Sequence, residues 1–157
     1  MIAQEKEIRY IPNDAFFLAV QQMLEEGIKV DFTVTGNSMW PLLRHGRDVV
    51  TIAPCKGSHI KKGDMILFEA LPSKYLLHRV THVSEKYFET TGDFNTFCDG
   101  RFSKDCVKGK VVNVTRKGKC YKTDSCLMKM YSVCWMRLFK VRKPLLTFIR
   151  LLSKMKK

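Results

Sequence analysis

The chain has 157 residues and is 45% hydrophobic, so it can bury one core and is too apolar to be a disordered chain. Its formal net charge is +13, but residues 116–157 hold 13 Lys and Arg against one acid, Asp124, a net of 13 − 1 = +12. Residues 1–115 are left with +1, so the positive charge belongs to a C-terminal appendage and not to the whole surface.

The six cysteines form no CxxC pair and match no zinc ribbon or finger, so neither a metal nor another cofactor is expected. The N-terminal residues show no basic stretch followed by an apolar run. No signal peptide is therefore expected, and reduced thiols in a cytoplasmic protein are the preferred interpretation. No window of about 18 residues is free of charge, so no membrane-spanning helix is predicted.

A helix is predicted first along the chain. Asn13 and Asp14 can cap its start, Phe16, Val20, Met23 and Leu24 have helical spacing, and Gly27 is a natural stop. Short β-branched or aromatic segments bounded by turn residues follow, and they predict about six strands. These segments are "KVDFTVTG", "DVVTIAP", "DMILFEAL", "YLLHRVTHV", "KYFETTG" and "KGKVVNVTRKG".

From Cys126 onward the pattern is apolar with interspersed Lys and Arg, which predicts amphipathic helices with a break at Pro144. In the second helix Leu145, Phe148, Ile149 and Leu152 are expected to share one face. The chain is accordingly divided into an N-terminal helix packed on the body (1–29), a β-rich domain (30–118) and a basic helical tail (119–157). The tail has three open interpretations: packing on the body, binding an anionic membrane surface, or binding nucleic acid or an acidic peptide.

Ser38 lies in a Gly-Asn-Ser turn, and by local composition it is a turn residue. It becomes a nucleophile only if a base removes its proton. His78 is on a predicted strand, where a proton acceptor would be rigidly held. Asp93 and Asp99 follow in a Gly-containing loop. Either carboxylate could cap a turn, or it could orient the imidazole and stabilise the imidazolium.

Four segments in this order resemble the type I signal peptidases. "SMWP" is similar to their Ser-Met-x-Pro box, "GDMILF" to their Gly-Asp strand, and "LLHRV" and "TGDFNTFCD" to the remaining two boxes. The related LexA-type self-cleaving repressors share the fold. His78 stands before Arg79 where bacterial signal peptidases have lysine, which is similar to the endoplasmic-reticulum and archaeal type that uses serine, histidine and aspartate.

The resemblance implies an α+β, mainly β fold with the coiled sheet of signal peptidases and LexA. It also implies a Ser-His-Asp type serine endopeptidase. Ser38 would be the nucleophile, His78 the base, Asp99 the aspartate that completes the site, and Asp93 its support. Neighbours of the serine would shape the turn, bind substrate or contribute to an oxyanion hole; they are Asn37, Met39 and Trp40.

Two departures from the family bear on function. Phe94 stands where the family has asparagine, and an amphipathic helix replaces the hydrophobic anchor that precedes the serine box. The expected activity is therefore cleavage of a precursor or leader peptide by a cytoplasmic protein, in peripheral contact with the inner face of the membrane through its tail. The alternative is a non-catalytic module on the same fold that binds peptide, membrane or nucleic acid, and nucleic acid is the less favoured partner.

Overall fold

The structure is a computed structural model, and it describes residues 13–142, 144 and 146–148. Helix α1 spans Asn13–Glu25, eight strands follow, and helix α2 spans Cys126–Arg137. The strands are β1 (Val30–Thr33), β2 (Asp48–Pro54), β3 (Met65–Leu71), β4 (Lys74–Val83), β5 (Tyr87–Thr91), β6 (Gly100–Ser103), β7 (Val107–Arg116) and β8 (Lys119–Lys122). The predicted α+β class with a mainly β body is confirmed.

All eight strands form one antiparallel sheet in the order β1-β2-β7-β3-β4-β5-β6, with β8 also paired to β7. Strand β7 pairs with β2 along one side. Its other side pairs with β3 near its start and with β8 from Asn113 to Arg116. The pair β1–β2 and the group β3–β6 are therefore joined in the sheet through β7.

Two strands lie outside the six predicted segments. β6 does alternate between half-buried and exposed residues, but its four residues are too few to form a recognisable pattern in the sequence. β8, "KCYK", is exposed throughout and has no buried face to recognise. β8 exists because Lys117 and Gly118 both have positive φ, at 49° and 76°, which suits a two-residue hairpin turn. The sheet thus continues to Lys122, and the helical part of the predicted tail begins at Cys126 instead of 119.

The core consists of two clusters of apolar side chains. One lies where α1 covers β1, β2 and β7, and it includes Val20, Leu24, Ile52 and Val111. In the predicted helix face Met23 is in fact exposed, and Phe17 packs instead, stacked on Tyr75 with ring centroids 4.6 Å apart. The second cluster lies on β3, β4 and β5, and contains Ile66, Phe68, Val80 and Phe88.

The helix predicted from Cys126 is present, and the Ser125 side chain caps it by accepting a hydrogen bond from Met128 N. A 3-10 turn at Leu138–Val141 follows, ahead of the break predicted at Pro144, and residues 142, 144 and 146–148 are helical. Leu146 is buried, and Phe148, a member of the predicted apolar face, is exposed. The other members of that face, Leu145, Ile149 and Leu152, lie outside the described residues.

None of the helices in the described part of the chain has the combined length and apolar character needed to cross a bilayer.

Gly109 tests the packing of β7 against β2, its neighbour in the sheet. A Cβ there would lie 2.5 Å from Ile52 Cγ2 and 2.8 Å from the Ala53 carbonyl oxygen. Gly109→Ala should therefore destabilise the fold by about 1–3 kcal/mol, measured by urea unfolding, because backbone must shift. Thr115→Ala, half-buried on the same strand, is the control. Equal stability of Gly109→Ala and wild type would contradict the tight packing.

Candidate active site

His78, near the middle of β4, forms a buried contact with Asp99. His78 Nδ1 lies 2.6 Å from Asp99 Oδ2, and the two side chains are only 5% and 6% exposed. With Nδ1–H of a neutral imidazole donating a hydrogen bond to the Asp99 carboxylate, the other ring nitrogen, Nε2, is left as an acceptor. This is the arrangement that lets an imidazole take a proton and have the resulting charge stabilised.

Thr90 holds the Asp99 carboxylate in place. Its hydroxyl donates to Asp99 Oδ2 over 2.8 Å, and its carbonyl accepts from Asp99 N over 2.9 Å. Thr90 is fully buried on β5. This role of Thr90 could not be predicted from the sequence, because nothing in a strand segment indicates that a threonine hydroxyl will meet a carboxylate nine residues away.

Ser38 and His78 line the same cavity, which has a volume of about 120 Å³. The rest of its wall is mainly apolar, with Phe17 from α1, Phe32 from β1 and Tyr75 from β4. Of the three neighbours predicted to bind substrate, Met39 is buried and lines the cavity. Asn37 is exposed and Trp40 half-buried, and neither lines it.

The Ser38 hydroxyl makes no hydrogen bond with His78 or with any other described residue. The Ser38 amide N–H is likewise unbonded within the described residues, while the next turn is closed by Trp40 N donating to Asn37 O. Hydrogen bonds between nucleophile and base are often long until substrate binds. The structure thus brings the two groups to one cavity wall without a direct bond.

The turn that carries Ser38 is attached to the loop between β5 and β6. Phe94 N donates to the Ser38 carbonyl over 2.8 Å, and the Phe94 and Trp40 rings meet edge to face with centroids 5.3 Å apart. Gly92 permits this approach, since a Cβ there would lie 2.7 Å from Ser38 O. Phe94, which stands where the signal peptidases have asparagine, thus packs against Trp40, two residues after Ser38.

His45 supports the same turn. Its Nδ1 accepts a hydrogen bond from Gly36 N over 3.1 Å, and Gly46 N donates to Val34 O. Gly36 has a φ of 80°, a conformation that favours glycine. The segment that carries Ser38 is therefore held by hydrogen bonds between residues nine and twelve positions apart. Such contacts cannot be recognised in the local sequence.

Asp48, at the start of β2, attaches the segment that follows the Ser38 turn to the sheet. Its carboxylate accepts hydrogen bonds from Arg47, Arg116 and Arg44 N, and Arg116 also donates to Leu42 O. Burial works to raise the pKa of Asp48, but the hydrogen bonds from Arg47 and Arg116 outweigh it and lower the pKa to about 2. Residues 42–48 are thereby tied to the end of β7.

Asp93 does not touch His78; it pairs with the next residue, Arg79. Because strand side chains alternate, Arg79 points to the opposite face of β4 from His78. Its guanidinium donates to both Asp93 oxygens, over 2.8 and 2.7 Å, and both side chains are almost completely buried. Burial works to lower the pKa of Arg79, but the Asp93 charge outweighs it and raises the pKa.

Helix α2 and the turn after it cover this ion pair. Arg79 Nη1 donates to Ser132 Oγ and Gly63 O, and Trp135 Nε1 donates to Asp93 O over 3.1 Å. Buried Arg142 donates to the carbonyls of Gly92 and Asn95, in the loop that holds Ser38. This part of the tail thus packs on the body, one of the three interpretations that the sequence left open, and it stabilises the loop that bonds to Ser38.

No group of three or more His, Cys, Asp or Glu side chains that could hold a metal ion occurs in residues 13–142, 144 and 146–148. The six cysteines are free thiols.

Comparison with known proteins found no match: no protein-family model matches the chain, and no curated protein matches it.

Because the pKa of Asp48 is lowered, we expect the free energy of unfolding to depend on pH. Its pKa is lower in the folded chain than in the unfolded one. The stabilisation is therefore complete above about pH 4 and lost as the pH falls toward about 2, the folded pKa. Asp48→Asn should cost about 2 kcal/mol near neutral pH, and the difference from wild type should shrink below about pH 4 in urea unfolding. Asp31→Asn, exposed on β1, is the control. A penalty unchanged with pH would contradict this assignment.

The buried ion pair predicts a large cost for removing one charge. Asp93→Asn leaves Arg79 charged and unpaired, and should lower the free energy of unfolding by about 3–5 kcal/mol. Glu89→Gln, which breaks the exposed pair with Arg101, should cost at most about 1 kcal/mol. The double change Arg79→Met with Asp93→Leu should cost less than Asp93→Asn alone. Equal losses for Asp93→Asn and Glu89→Gln would contradict the role of Asp93 as a structural counter-ion.

Proposed function

We propose that the protein is a serine endopeptidase of the signal-peptidase-like kind, with Ser38 as nucleophile, His78 as base and Asp99 as the residue that orients His78. The observation that carries the proposal is the buried His78–Asp99 bond beside a cavity that Ser38 also lines. The four motifs that resemble the signal peptidases, in the family's order, support the same assignment. The finer fold name, the coiled sheet of signal peptidases and LexA, is part of this proposal.

The first half of the proposed reaction forms an acyl-enzyme. Ser38 Oγ bonds to the carbonyl carbon of the scissile peptide while its proton passes to His78 Nε2. Asp99 stabilises the imidazolium, and free amide N–H groups of the turn, including that of Ser38, are the proposed donors to the oxyanion. The C–N bond then breaks, and His78 gives the proton to the departing amine.

The second half releases the acyl group. Water gives a proton to His78 as it attacks the Ser38 ester, the ester C–O bond breaks, and the proton returns to Ser38 Oγ. The products are a new carboxyl terminus and the regenerated serine. No metal or cofactor enters either half.

The proposed substrate is an extended segment of a precursor or leader peptide. Strand β1 is the end strand of the sheet, and the first half of β4, up to His78, lacks the β5 partner that begins at Arg79. Both strands contribute to the cavity wall, through Phe32 and Tyr75. A peptide strand added between them would place its backbone on unpaired strand edges and one apolar side chain in the cavity.

The alternative is a module that binds such a peptide without cutting it. The observation in its favour is the Ser38 hydroxyl, which has no hydrogen bond to His78. The two functions differ in whether a bound peptide is cleaved.

Activity is tested with a library of peptides prepared from a digested proteome, with new N-termini read by mass spectrometry. Wild type should cleave a subset of peptides. Ser38→Ala and His78→Ala should each reduce the cleavage rate by at least about 1,000-fold, because both groups act in one unit. A fluorophosphonate should label wild type at Ser38 and leave Ser38→Ala unlabelled.

Matched controls are Ser58→Ala and His82→Ala, an exposed serine and an exposed histidine on β4, which should both retain wild-type rates. Circular dichroism establishes that each variant is folded. Cleavage that persists in Ser38→Ala would refute the serine mechanism. Peptides held by wild type and Ser38→Ala with equal affinity and never cut would establish the binding module instead.

A further inference from the structure

We propose that the outer face of α2, with the turn that follows it, docks on an anionic lipid surface. The outer face is defined here as the exposed apolar and basic side chains of residues 126–141. The inference does not depend on the proposed peptidase activity, because none of these side chains lines the Ser38 cavity.

Exposed apolar side chains are concentrated on this face. Of the thirteen large hydrophobic residues exposed in the described part of the chain, six lie between residues 127 and 141. They are Leu127, Met130, Val133, Leu138, Phe139 and Val141. Leu127 and Met130 are 62% and 58% exposed, which is costly in water unless another surface covers them.

The helix has two distinct sides. Ser132 and Trp135 face the body of the protein, where they bond to Arg79 and Asp93. At 100° per residue, Met130, Val133 and Arg137 lie on the opposite side of α2. The helix orientation is set by the buried bonds of the first side, so the apolar side is held outward and cannot turn into the core.

The charge of this region is of one sign. Lys129 and Arg137 are exposed on α2, and the sequence has no acidic residue from Ser125 to the C-terminus. An apolar stripe flanked by basic residues is the pattern of helices that lie in the membrane interface. There the apolar side chains enter the acyl boundary and the cations remain at the headgroups.

The combination of apolar and basic side chains on the outer face indicates which kind of partner binds there. A second copy of this chain would bring a like-charged tail, of net charge 11 − 1 = +10, against the same face. Nucleic acid would pair with the cations but leave the apolar side chains in water. An anionic bilayer satisfies both groups at once, and each Lys or Arg near its surface adds about fivefold in binding.

The experiment is co-sedimentation of the full chain with vesicles of phosphatidylcholine, either pure or mixed in equal parts with phosphatidylglycerol. Binding is expected to the mixed vesicles, to weaken in high salt, and to be much lower on the neutral ones. Lys129→Gln and Arg137→Gln should each reduce binding about fivefold, and about 30-fold together. Met130→Ser should reduce it about tenfold, since it removes an apolar contact.

The matched control for Met130→Ser is Leu71→Ser, because Leu71 is also 58% exposed but lies at the end of β3. The control for the charge changes is Lys56→Gln with Lys86→Gln, exposed lysines of the sheet domain. Ser38→Ala should bind vesicles as wild type does, which separates this test from the peptidase test.

Three outcomes with vesicles, and a fourth without them, would overturn the proposal. The first three are no binding to the mixed vesicles, equal binding to neutral and anionic vesicles, and equal losses for Met130→Ser and Leu71→Ser. Size-exclusion chromatography with light scattering then tests whether the chain forms a dimer through this face. A dimer that Met130→Ser dissociates would assign the face to a second copy and refute the lipid proposal.

Discussion

Arg79 carries a full charge in a place from which water is almost excluded, and much of the structure depends on how that charge is compensated. Asp93 binds it with two hydrogen bonds, but a buried ion pair is stable only if the remaining hydrogen-bonding groups around it also have partners. Ser132 accepts from the guanidinium, and Trp135 donates to the Asp93 backbone. The ion pair thus requires α2, and the C-terminal helix becomes part of the same unit as strand β4.

The two faces of β4 consequently serve different needs. His78 faces the cavity and Asp99, while Arg79 faces Asp93 and α2. Both aspartates come from the loop between β5 and β6, so the rigid Arg79 side fixes the loop from which the His78 side takes its partner. Precise placement of a base depends on such support, because a small displacement of an orienting group costs much of its effect.

Much of the sheet could be predicted from the sequence because its strands alternate apolar and polar residues. The helix α1 and six strands were found in this way, and the juxtaposition of His78 with Asp99 followed from the order of the motifs. β8 was missed because its stability comes from the Lys117–Gly118 turn and backbone pairing, not from burial of side chains.

The supporting residues of the site were beyond prediction for a different reason. Thr90, His45 and Ser132 act through single hydrogen bonds to groups that are distant in the chain. A threonine, a histidine or a serine has many ordinary environments, and only the folded chain selects one of them. Phe94 shows the same limit, since its packing against Trp40 is visible only when the two loops meet.

The place of β7 in the sheet has a consequence for how the protein is made. Ser38 lies between β1 and β2, and His78 and Asp99 lie within the group β3–β6, yet the strand that joins these two parts of the sheet is the seventh to leave the ribosome. Synthesis runs from the N-terminus, and pairings between distant strands are slow to form. Until β7 has been made, the pair β1–β2 and the group β3–β6 have no strand to join them, so the sheet that holds both the serine and the histidine can be completed only after residue 116 has emerged.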